Sequence, residues 1–386
     1  MTGECYAAQV LHAGVAHVRI SPVGRRRTLR TAWGGALAAV LLLVLAAGCA
    51  GEQQQPRTTP PPGVAVPQLA GDVARGLAVP WGLDFLPGGD ALVTERDSAR
   101  IVRVTPDGRV APIGRVPQAE SNGEGGLLGL AISPRFATDR LVYVYYSTPA
   151  ENRIVRMTYE NGRFGPAEPI ITGIPSAVFH DGGRIVFGPD GMLYAGTGDA
   201  TVGPLAQNRT SLAGKILRMT PDGEPAPGNP FPGSLVYSYG HRNVQGLAFD
   251  SQGRLWAAEH GKNRWDELNL IRPGGNYGWP LVEGRGGGGE FIQPAAQWRP
   301  DDASPSGIAI VDDVVYMAAL RGRQLWQVPI RGDTAGDPVA YFTGELGRLR
   351  TVWPTPEGSL WLMTSNRDGR GEPRQGDDRI VRVQLQ

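Results

Sequence analysis

The sequence has very little cysteine, histidine or net charge, and each shortage excludes a class of protein. Only Cys5 and Cys49 are cysteines in a chain of 386 residues, so the later part of the chain holds neither a disulfide nor a cysteine-ligated metal. The formal net charge is +1, so we expect no nucleic-acid partner. Five residues are histidines, and those beyond the amino-terminal region are His180, His241 and His260. Any chemistry that needs histidine is therefore confined to three positions.

Long hydrophobic runs are also lacking, apart from one short run near the amino terminus. The uncharged stretch Ala36–Ala47 follows the basic cluster Arg25–Arg27 and is shorter than the roughly 20 residues that span a bilayer. This order is typical of an export signal. The run ends in Leu45–Cys49, which resembles a bacterial lipobox. We predict a lipoprotein signal peptide over 1–48 and a protein that is exported and anchored through Cys49 to the outer face of the cytoplasmic membrane; a plain signal peptide is the alternative.

What the sequence has in abundance is glycine and proline, within a pattern that recurs six times. The 55 Gly and 33 Pro residues favour many turns and short strands. Each copy has an apolar strand, a turn rich in Pro, Asp and Gly, a second strand with aromatic and β-branched residues, and a third strand that contains arginine. The copies include the first-strand residues Gly82, Leu130, Ile185, Leu247, Ile308 and Val352. Such repeats, with four strands each, are typical of a β-propeller.

The recurrence predicts an all-β domain over 69–386. We expect a six-bladed β-propeller of four-stranded antiparallel blades, because six copies correspond to six blades. The segment 49–68, rich in Gln, Pro and Thr, is predicted to be a flexible tether. The segment Asp72–Leu77 is predicted to pair as an extra strand of the last blade and to close the ring. A β-sandwich is the alternative, and the regular recurrence of the turn disfavours it.

A propeller brings the loops that enter its innermost strands to one end of the central channel. The residues gathered there would be Glu124, His180, Asp199, Arg242, Asn243, Gly261, Arg321, Arg348 and Arg350. Residues 1–48 hold five arginines and one acid, so of 38 basic and 37 acidic residues, 33 and 36 remain beyond them. A basin rich in arginine within an acidic chain implies a multiply anionic ligand. Arg348 and Arg350 would point to the same side of a strand, although a solvated surface pair is the alternative.

Several stretches together resemble the quinoprotein sugar dehydrogenase family. This family contains soluble PQQ glucose dehydrogenases, aldose sugar dehydrogenases and the glucose/sorbosone dehydrogenase domain. The matching stretches cover nearly all of 72–386 in order and include Gly123-Glu-Gly-Gly-Leu-Leu-Gly-Leu-Ala, His180-Asp-Gly-Gly-Arg, Gly196-Thr-Gly-Asp, Tyr239-Gly-His-Arg-Asn-Val-Gln-Gly, Glu259-His-Gly, Asp266-Glu-Leu-Asn-Leu-Ile, Gly275-Asn-Tyr-Gly-Trp-Pro and Arg348-Leu-Arg. The resemblance implies PQQ- and calcium-dependent oxidation of the C1 hydroxyl of an aldose to the lactone.

The resemblance also implies a role for each matching residue of the catalytic centre. His180 would be the general base that takes the proton of the sugar hydroxyl. Asp199 would hold and polarise the His180 imidazole. Arg242 would lie beside the quinone oxygen, where negative charge develops.

The remaining matches concern the cofactor and calcium. The residues that match contacts to PQQ are Glu124, Asn243, Arg321, Arg348 and Arg350. The main-chain carbonyls of Gly261 and Lys262 match ligands of the calcium ion that bridges to PQQ, and Glu267 and Tyr277 match a second calcium site. Three positions depart from the glucose enzymes, because Glu124 stands where they have Gln, Arg321 stands where they have Lys, and Lys262 stands where Pro is usual.

Two other functions are open at this stage. One is a calcium-dependent lactonase on a six-bladed propeller, which the scarcity of acidic ligands in the basin disfavours. The other is a non-catalytic propeller that binds glycan or protein, since a fold does not fix a function. The expected partners of the preferred function are an aldose and an electron acceptor of unknown identity, and the protein would be a monomer or a homodimer.

Overall fold

The structure, a computed structural model, describes residues 62–386. Within this range the regular secondary structure consists of strands, one α-helix, α1 (Phe136–Asp139), and two 3₁₀ turns (Gly203–Ala206 and Gly287–Gly289), joined by loops. In chain order the strands are β1 (Pro67–Ala74), β2 (Pro80–Phe85), β3 (Ala91–Glu95), β4 (Arg100–Val104), β5 (Val110–Arg115), β6 (Leu127–Ile132), β7 (Leu141–Ser147), β8 (Glu151–Glu160), β9 (Arg163–Phe164), β10 (Glu168–Pro175), β11 (Ile185–Phe187), β12 (Leu193–Gly196), β13 (Lys215–Met219), β14 (Val236–Tyr239), β15 (Val244–Phe249), β16 (Leu255–Glu259), β17 (Asp266–Leu270), β18 (Ala296–Trp298), β19 (Pro305–Val311), β20 (Val314–Ala319), β21 (Leu325–Arg331), β22 (Thr334–Ala335), β23 (Val339–Tyr341), β24 (Leu349–Pro354), β25 (Leu360–Thr364) and β26 (Ile380–Leu385).

The strands form six antiparallel sheets, and each sheet is one blade of a propeller. The blades are β2-β3-β4-β5, β6-β7-β8-β10, β11-β12-β13-β14, β15-β16-β17-β18, β19-β20-β21-β23 and β24-β25-β26-β1. The short strands β9 and β22 add to the second and fifth blades. This architecture confirms the prediction of a six-bladed, four-stranded propeller.

The middle strands of the blades are buried on both faces, because each blade packs between two neighbours. All residues of the second strands β12, β20 and β25 are buried, and their sequences are nearly continuous apolar runs with no alternation. The hydrophobic core therefore lies between adjacent blades, in several clusters around the ring. This arrangement leaves the loops at the ends of the channel free to carry polar residues.

The innermost strands β2, β6, β11, β15, β19 and β24 contact one another in a ring around the channel. Glycine recurs where neighbouring strands of this ring come closest. A Cβ atom on Gly129 of β6 would lie 2.1 Å from the carbonyl oxygen of Gly183, and one on Gly246 of β15 would lie 2.4 Å from that of Ser306. Any larger residue would push the two blades apart, so these glycines set the width of the channel.

Strand β1 closes the ring by pairing with the last strand of the chain. It runs antiparallel to β26, with Pro67 opposite Leu385 and Ala74 opposite Ile380. The sequence predicted this pairing for Asp72–Leu77, and the observed strand begins five residues earlier, inside the segment 49–68 that was predicted as a tether.

Other expectations for the amino-terminal region fall outside the described residues. The signal peptide, Cys49 and the tether up to residue 61 are among them. Within residues 62–386 no helix has the length and apolar character needed to cross a bilayer.

Candidate active site

Loops from several blades bring the predicted residues together at one end of the channel. His180 precedes β11, Asp199 follows β12, and Arg242 precedes β15. Glu124, in the loop before β6, accepts a hydrogen bond from the main-chain N–H of His180 at 3.1 Å. Residues that are far apart in the sequence thus meet in one site because the inner strands surround a common axis.

His180 is held between a carboxylate and a guanidinium. Its Nδ1 lies 2.7 Å from Oδ1 of Asp199, and its Nε2 lies 2.8 Å from Nη2 of Arg242. An arginine side chain can only donate, so Nε2 accepts this bond and the proton of the neutral ring is on Nδ1, which donates to Asp199. The His180 side chain remains 18% exposed. The arrangement therefore fixes the tautomer of the ring and leaves Nε2 as the basic nitrogen.

The backbone of His180 is itself constrained. Its φ angle is +66°, in the left-handed region that residues other than glycine rarely adopt. Such conformations occur often at functional sites, where the surrounding structure enforces them. Here His180 is held in this conformation by its main-chain hydrogen bond to Glu124 and by its side-chain hydrogen bonds to Asp199 and Arg242.

Trp279 contacts both partners of the histidine, although no sequence pattern predicted a role for it. Its indole Nε1–H donates to Oδ2 of Asp199 at 2.8 Å, while the guanidinium carbon of Arg242 lies 5.3 Å from the centroid of its ring. The only sequence signal was its place in the stretch Gly275-Asn-Tyr-Gly-Trp-Pro, which did not indicate where the indole would point.

Arg242 is fixed by acceptors on both its main chain and its side chain. Its N–H donates to Oε2 of Glu259 at 2.8 Å, and its Nη1 donates to the carbonyl oxygens of His260, at 3.3 Å, and of Gly261. Burial lowers the pKa of Arg242, yet the group stays charged at neutral pH because its ordinary value is so high. Its Nε is buried and has no hydrogen-bond partner among residues 62–386.

A cavity of about 310 Å³ reaches His180 and Arg242 through Glu124 and His260, which line it and to which they bond, and arginine dominates its charged lining. The lining includes Glu124, Gln245, His260, Arg321, Arg348, Arg350, Asp368 and Arg370. The structure thus gathers the three predicted arginines 321, 348 and 350 around one space.

The three predicted arginines differ in how their charges are neutralised. Arg348 donates twice to Oδ2 of Asp368, at 3.0 and 2.9 Å, whereas Nη2 of Arg350 lies 3.6 Å from the same oxygen. Arg350 donates to Oε1 of Gln245 at 2.9 Å and keeps a buried Nε without a partner in the described part of the chain. Burial lowers the pKa of Arg350 to about 9. Arg321 is exposed and pairs with Asp301 at 2.6 Å. Of the three, the buried Arg350 is therefore the arginine whose positive charge the protein neutralises least, so it is the best placed to bind an anionic ligand.

Glu124 and His260, which both line the cavity, differ in their protonation states. Burial acts to raise the pKa of Glu124, but His260, the bond from Arg370 at 2.8 Å and the N–H of His180 bring it down to about 2. Burial lowers the pKa of His260 to about 3, and its Nε2 is a buried atom with no partner within 62–386. Glu124 is thus ionised and His260 neutral at physiological pH.

Asn243 contacts the loop that carries the histidine. Its Oδ1 accepts the N–H of Gly182 at 3.0 Å, and its Nδ2 lies 3.5 Å from Oε2 of Glu124. The side chain is buried, so in this structure it orders the loop after His180.

The loop with the two predicted calcium-binding carbonyls is organised by Glu283. One oxygen of this carboxylate, Oε1, accepts the four consecutive N–H groups of residues 262–265, at 2.7 to 3.2 Å. The carbonyl oxygen of Gly261 accepts a bond from Arg242, while Lys262 is exposed. Sequence reasoning missed Glu283, which lies about twenty residues from the loop and showed no local pattern.

The residues proposed for a second calcium site lie close to one another. Glu267 and Tyr277 line the same small cavity. Glu267 is buried and accepts bonds from the N–H of Gly284 and from Asn269 at 2.7 and 3.0 Å, and burial raises its pKa to about 8. The Tyr277 hydroxyl donates to the carbonyl of Leu270. No group of three or more His, Cys, Asp or Glu side chains within residues 62–386 is arranged to hold a metal ion.

Comparisons with known proteins define the class. The sequence model of the glucose/sorbosone dehydrogenase family matches residues 77–379. The chain therefore belongs to this family, and the resemblance inferred from its sequence is confirmed.

Individual relatives agree with this family. The chain is 30% identical over 331 residues to the aldose sugar dehydrogenase YliI of Escherichia coli, covering 75% of this chain and 88% of that one. It is 35% identical over 244 residues to the quinoprotein glucose dehydrogenase B of Acinetobacter calcoaceticus, covering 54% and 50%. Among solved structures, the PQQ-bound aldose sugar dehydrogenase of Streptomyces coelicolor is 55% identical, with a TM-score of 0.83 over 85% of this chain and 100% of that one.

Proposed function

We propose that the protein oxidises the C1 hydroxyl of an aldose to the lactone, with PQQ and calcium as cofactors. The observation that carries this proposal is the placement of the partly exposed His180, whose Nε2 is an acceptor, beside a cavity whose charged lining is mainly arginine. The family and its PQQ-bound member support it.

The residues of the cavity fit a planar ligand with several carboxylates. The buried Nε atom of Arg350, which lines the cavity, is a donor without a partner among the described residues, and so is the Nε atom of Arg242 beside His180. Such atoms are costly unless a ligand or water satisfies them. Arg321, Arg348 and Arg350 would hold the carboxylates of PQQ. Bound PQQ would supply an electrophilic centre that accepts hydride from C1 of the sugar.

Calcium would be held through main-chain oxygen atoms. The carbonyls of Gly261 and Lys262 belong to a loop that Glu283 already folds. Since calcium takes six to eight oxygen ligands, most of the others would have to come from the cofactor and from water. Glu267 and Tyr277 are proposed for a second, structural ion.

His180 would take the proton of the sugar hydroxyl at Nε2 while Asp199 retains the bond at Nδ1. The imidazolium that forms would be stabilised by Asp199, because the carboxylate accepts the Nδ1 proton at 2.7 Å. Arg242 now donates to Nε2, and the substrate hydroxyl would take its place there. The guanidinium would then remain beside the site, where its positive charge favours developing negative charge.

The test is reconstitution followed by removal of the base. Protein mixed with PQQ and calcium should reduce a redox dye when an aldose from a panel is added. His180→Ala should lower turnover by about 10²- to 10⁴-fold, the usual contribution of a positioned base. PQQ binding, followed by its absorbance, should be retained, because the arginines that hold it are unchanged. Equal rates of aldose-dependent bleaching of bound PQQ in the wild type and in His180→Ala would contradict the role of His180.

We also propose that the protein is exported and anchored by a lipid on Cys49, a residue outside the described range. Support comes from the basic cluster, short apolar run and Leu-Ala-Ala-Gly-Cys ending of the amino-terminal sequence. Metabolic labelling with a fatty acid should mark the wild type and leave Cys49→Ser unlabelled. Equal labelling of both would refute the anchor.

A further inference from the structure

Arg184 is buried in the propeller channel and lines none of the cavities described above. It directly precedes β11, and the equivalent positions of β15 and β19 are occupied by Gly246 and Gly307. A Cβ atom on Gly307 would lie 3.1 Å from Nη2 of Arg184. The glycine at this position therefore leaves space in the channel for the guanidinium, and the arginine is only 1% exposed.

Two of the three guanidinium nitrogens of Arg184 have partners on other inner strands. Nε donates to the carbonyl of Gln245 and Nη2 donates to the hydroxyl of Thr351, at 2.9 Å each. The third nitrogen, Nη1, is equally buried and has no hydrogen-bond partner within residues 62–386. A buried donor of this kind is destabilising unless a bound molecule satisfies it, so Nη1 indicates a ligand.

The positive charge of Arg184 also lacks a counter-charge in the described part of the chain. The charged group that acts on it is Arg350, a second buried cation, and burial together with this repulsion lowers the pKa of Arg184 to about 9. Both arginines bond to Gln245, and their guanidinium carbons lie 4.3 and 5.9 Å from the centroid of Trp81. Asp368 lies 3.6 Å from Arg350, but it accepts its two short bonds from another arginine. Two cations thus lie close together in the channel and remain protonated at neutral pH.

This pair of charges distinguishes between possible ligands. A water molecule would accept a bond from Nη1 but would leave the repulsion between Arg184 and Arg350 unchanged, whereas an anion would offset both. The ring of Trp81 attracts a guanidinium but supplies no net charge. Because the glycines of the inner strands keep the channel narrow, the ligand has to be small.

We propose that Arg184 binds a small monovalent inorganic anion, of which chloride is the commonest, in the propeller channel. Nη1 of Arg184 would donate to the anion, and the charge of Arg350 would add to the attraction. Arg350 and Gln245 line the 310 Å³ cavity, so the anion would enter from there. The site is distinct from the proposed PQQ contacts, because Arg184 is not part of the cavity lining.

The first test is thermal unfolding of the full-length protein without PQQ, in sodium chloride and in sodium gluconate of equal ionic strength. Chloride should raise Tm by about 5 °C when it exceeds its Kd about a hundredfold. Arg184→Met, which removes the charge and keeps a long side chain, should lose this chloride-specific rise. The matched control is Arg254→Met, since Arg254 is 18% exposed and has its own carboxylate partner, Asp250, at 2.7 Å; it should keep the rise. An equal rise in Arg184→Met would overturn the site. A larger rise with phosphate than with chloride would assign the effect to the exposed arginines of the cavity and would also overturn it.

The second test locates the anion directly and needs no variant, so it decides the matter even if Arg184→Met does not fold. Bromide has the same charge as chloride and can be identified by anomalous scattering. Wild-type crystals without PQQ, soaked in sodium bromide, should show an anomalous peak in contact with Nη1 of Arg184. A water molecule there, or bromide at other places only, would refute the proposal. A bromide peak without a chloride-specific rise in Tm would mean binding at crystal concentration only, and would count against it too. Neither test uses PQQ or a sugar, so both are independent of the proposed activity.

Discussion

At the residue scale, the site depends on how a single imidazole is held. The carboxylate of Asp199 fixes one ring nitrogen of His180, the guanidinium of Arg242 contacts the other, and Trp279 contacts both of these side chains. Residues that orient a base contribute to the rate although they do not touch the substrate. Trp279 should therefore act as a positioning residue.

Replacing Trp279 by Phe should lower turnover while PQQ still binds. The change retains an aromatic ring beneath Arg242 and removes the N–H that Asp199 accepts. Burial acts to raise the pKa of Asp199, but bonds from His180, Trp279 and Thr201 lower it overall. Without the indole bond the pKa of Asp199 rises, so the carboxylate is protonated, and activity is lost, at a higher pH on the acid side. We expect a decrease in kcat of about tenfold, corresponding to roughly one hydrogen bond to a charged group.

The measurement is the pH profile of single-turnover bleaching of bound PQQ. Trp298→Phe is the matched control, since Trp298 is buried in β18 and its indole nitrogen has no partner within residues 62–386. If activity falls at the same acidic pH in Trp279→Phe and in the control, Trp279 does not position the base. This conclusion would hold even if the two variants differ in stability.

At the element scale, the inner strands are distinguished by how closely they approach each other. Gly82 in β2, Gly246 in β15 and Gly307 in β19 face a neighbouring inner strand so closely that a Cβ atom would lie within 2.9 Å of it, and Gly129 in β6 comes equally close to Gly183, just before β11. Each glycine is the third residue of its strand. The loops that carry the site begin or end at these strands, so the glycines fix the distances between site residues.

Gly246→Ala should therefore destabilise the propeller by about 1–3 kcal/mol, the usual effect of overpacking a dense interior. The added methyl group would lie 2.4 Å from a main-chain oxygen of Ser306, which cannot rotate away as a side chain could. Urea unfolding followed by circular dichroism would measure the change. Gly88→Ala is the control, since a Cβ atom there meets nothing within 4 Å. Equal stability of the two variants would show that β15 and β19 can move apart at this contact without a cost in free energy.

At the scale of the whole molecule, the propeller is closed by its two ends and braced across its axis. Strand β1 completes the blade formed by β24, β25 and β26. Within the channel, Arg184 donates to the carbonyl of Gln245 and to Thr351 at 2.9 Å each, and its guanidinium lies 4.3 Å from the centroid of Trp81. One side chain thus connects the inner strands of three other blades.

Deletion of residues 62–74 should leave β26 as an exposed edge and lower the melting temperature by about 10 °C. The estimate assumes the loss of several ladder bonds at about 1 kcal/mol each, with 2–4 °C per kcal/mol for a domain of this order of size. A synthetic peptide of residues 67–74 should restore part of the loss by adding a strand to that edge. An unchanged melting temperature in the truncated protein would contradict the role of β1 in closing the ring.

The sequence by itself determined the repeated architecture. Six copies of one strand-turn-strand pattern indicated six blades, because turn residues and apolar strands are local signals that recur with each blade. The order of loops along the chain then placed His180, Asp199 and Arg242 at the same end of the channel, since every blade enters its inner strand from that end.

Only the tertiary structure decided which side chains meet within that end. Trp279 donates to Asp199 across 80 residues of sequence, and Asp368 neutralises Arg348 from a loop that no repeat signal marked. Even β1 begins earlier than its pattern suggested, because its pairing with β26 sets its length. Periodicity records which face of a strand is buried, whereas a contact between two loops depends on how the whole ring positions their backbones, and this is not encoded in either segment alone.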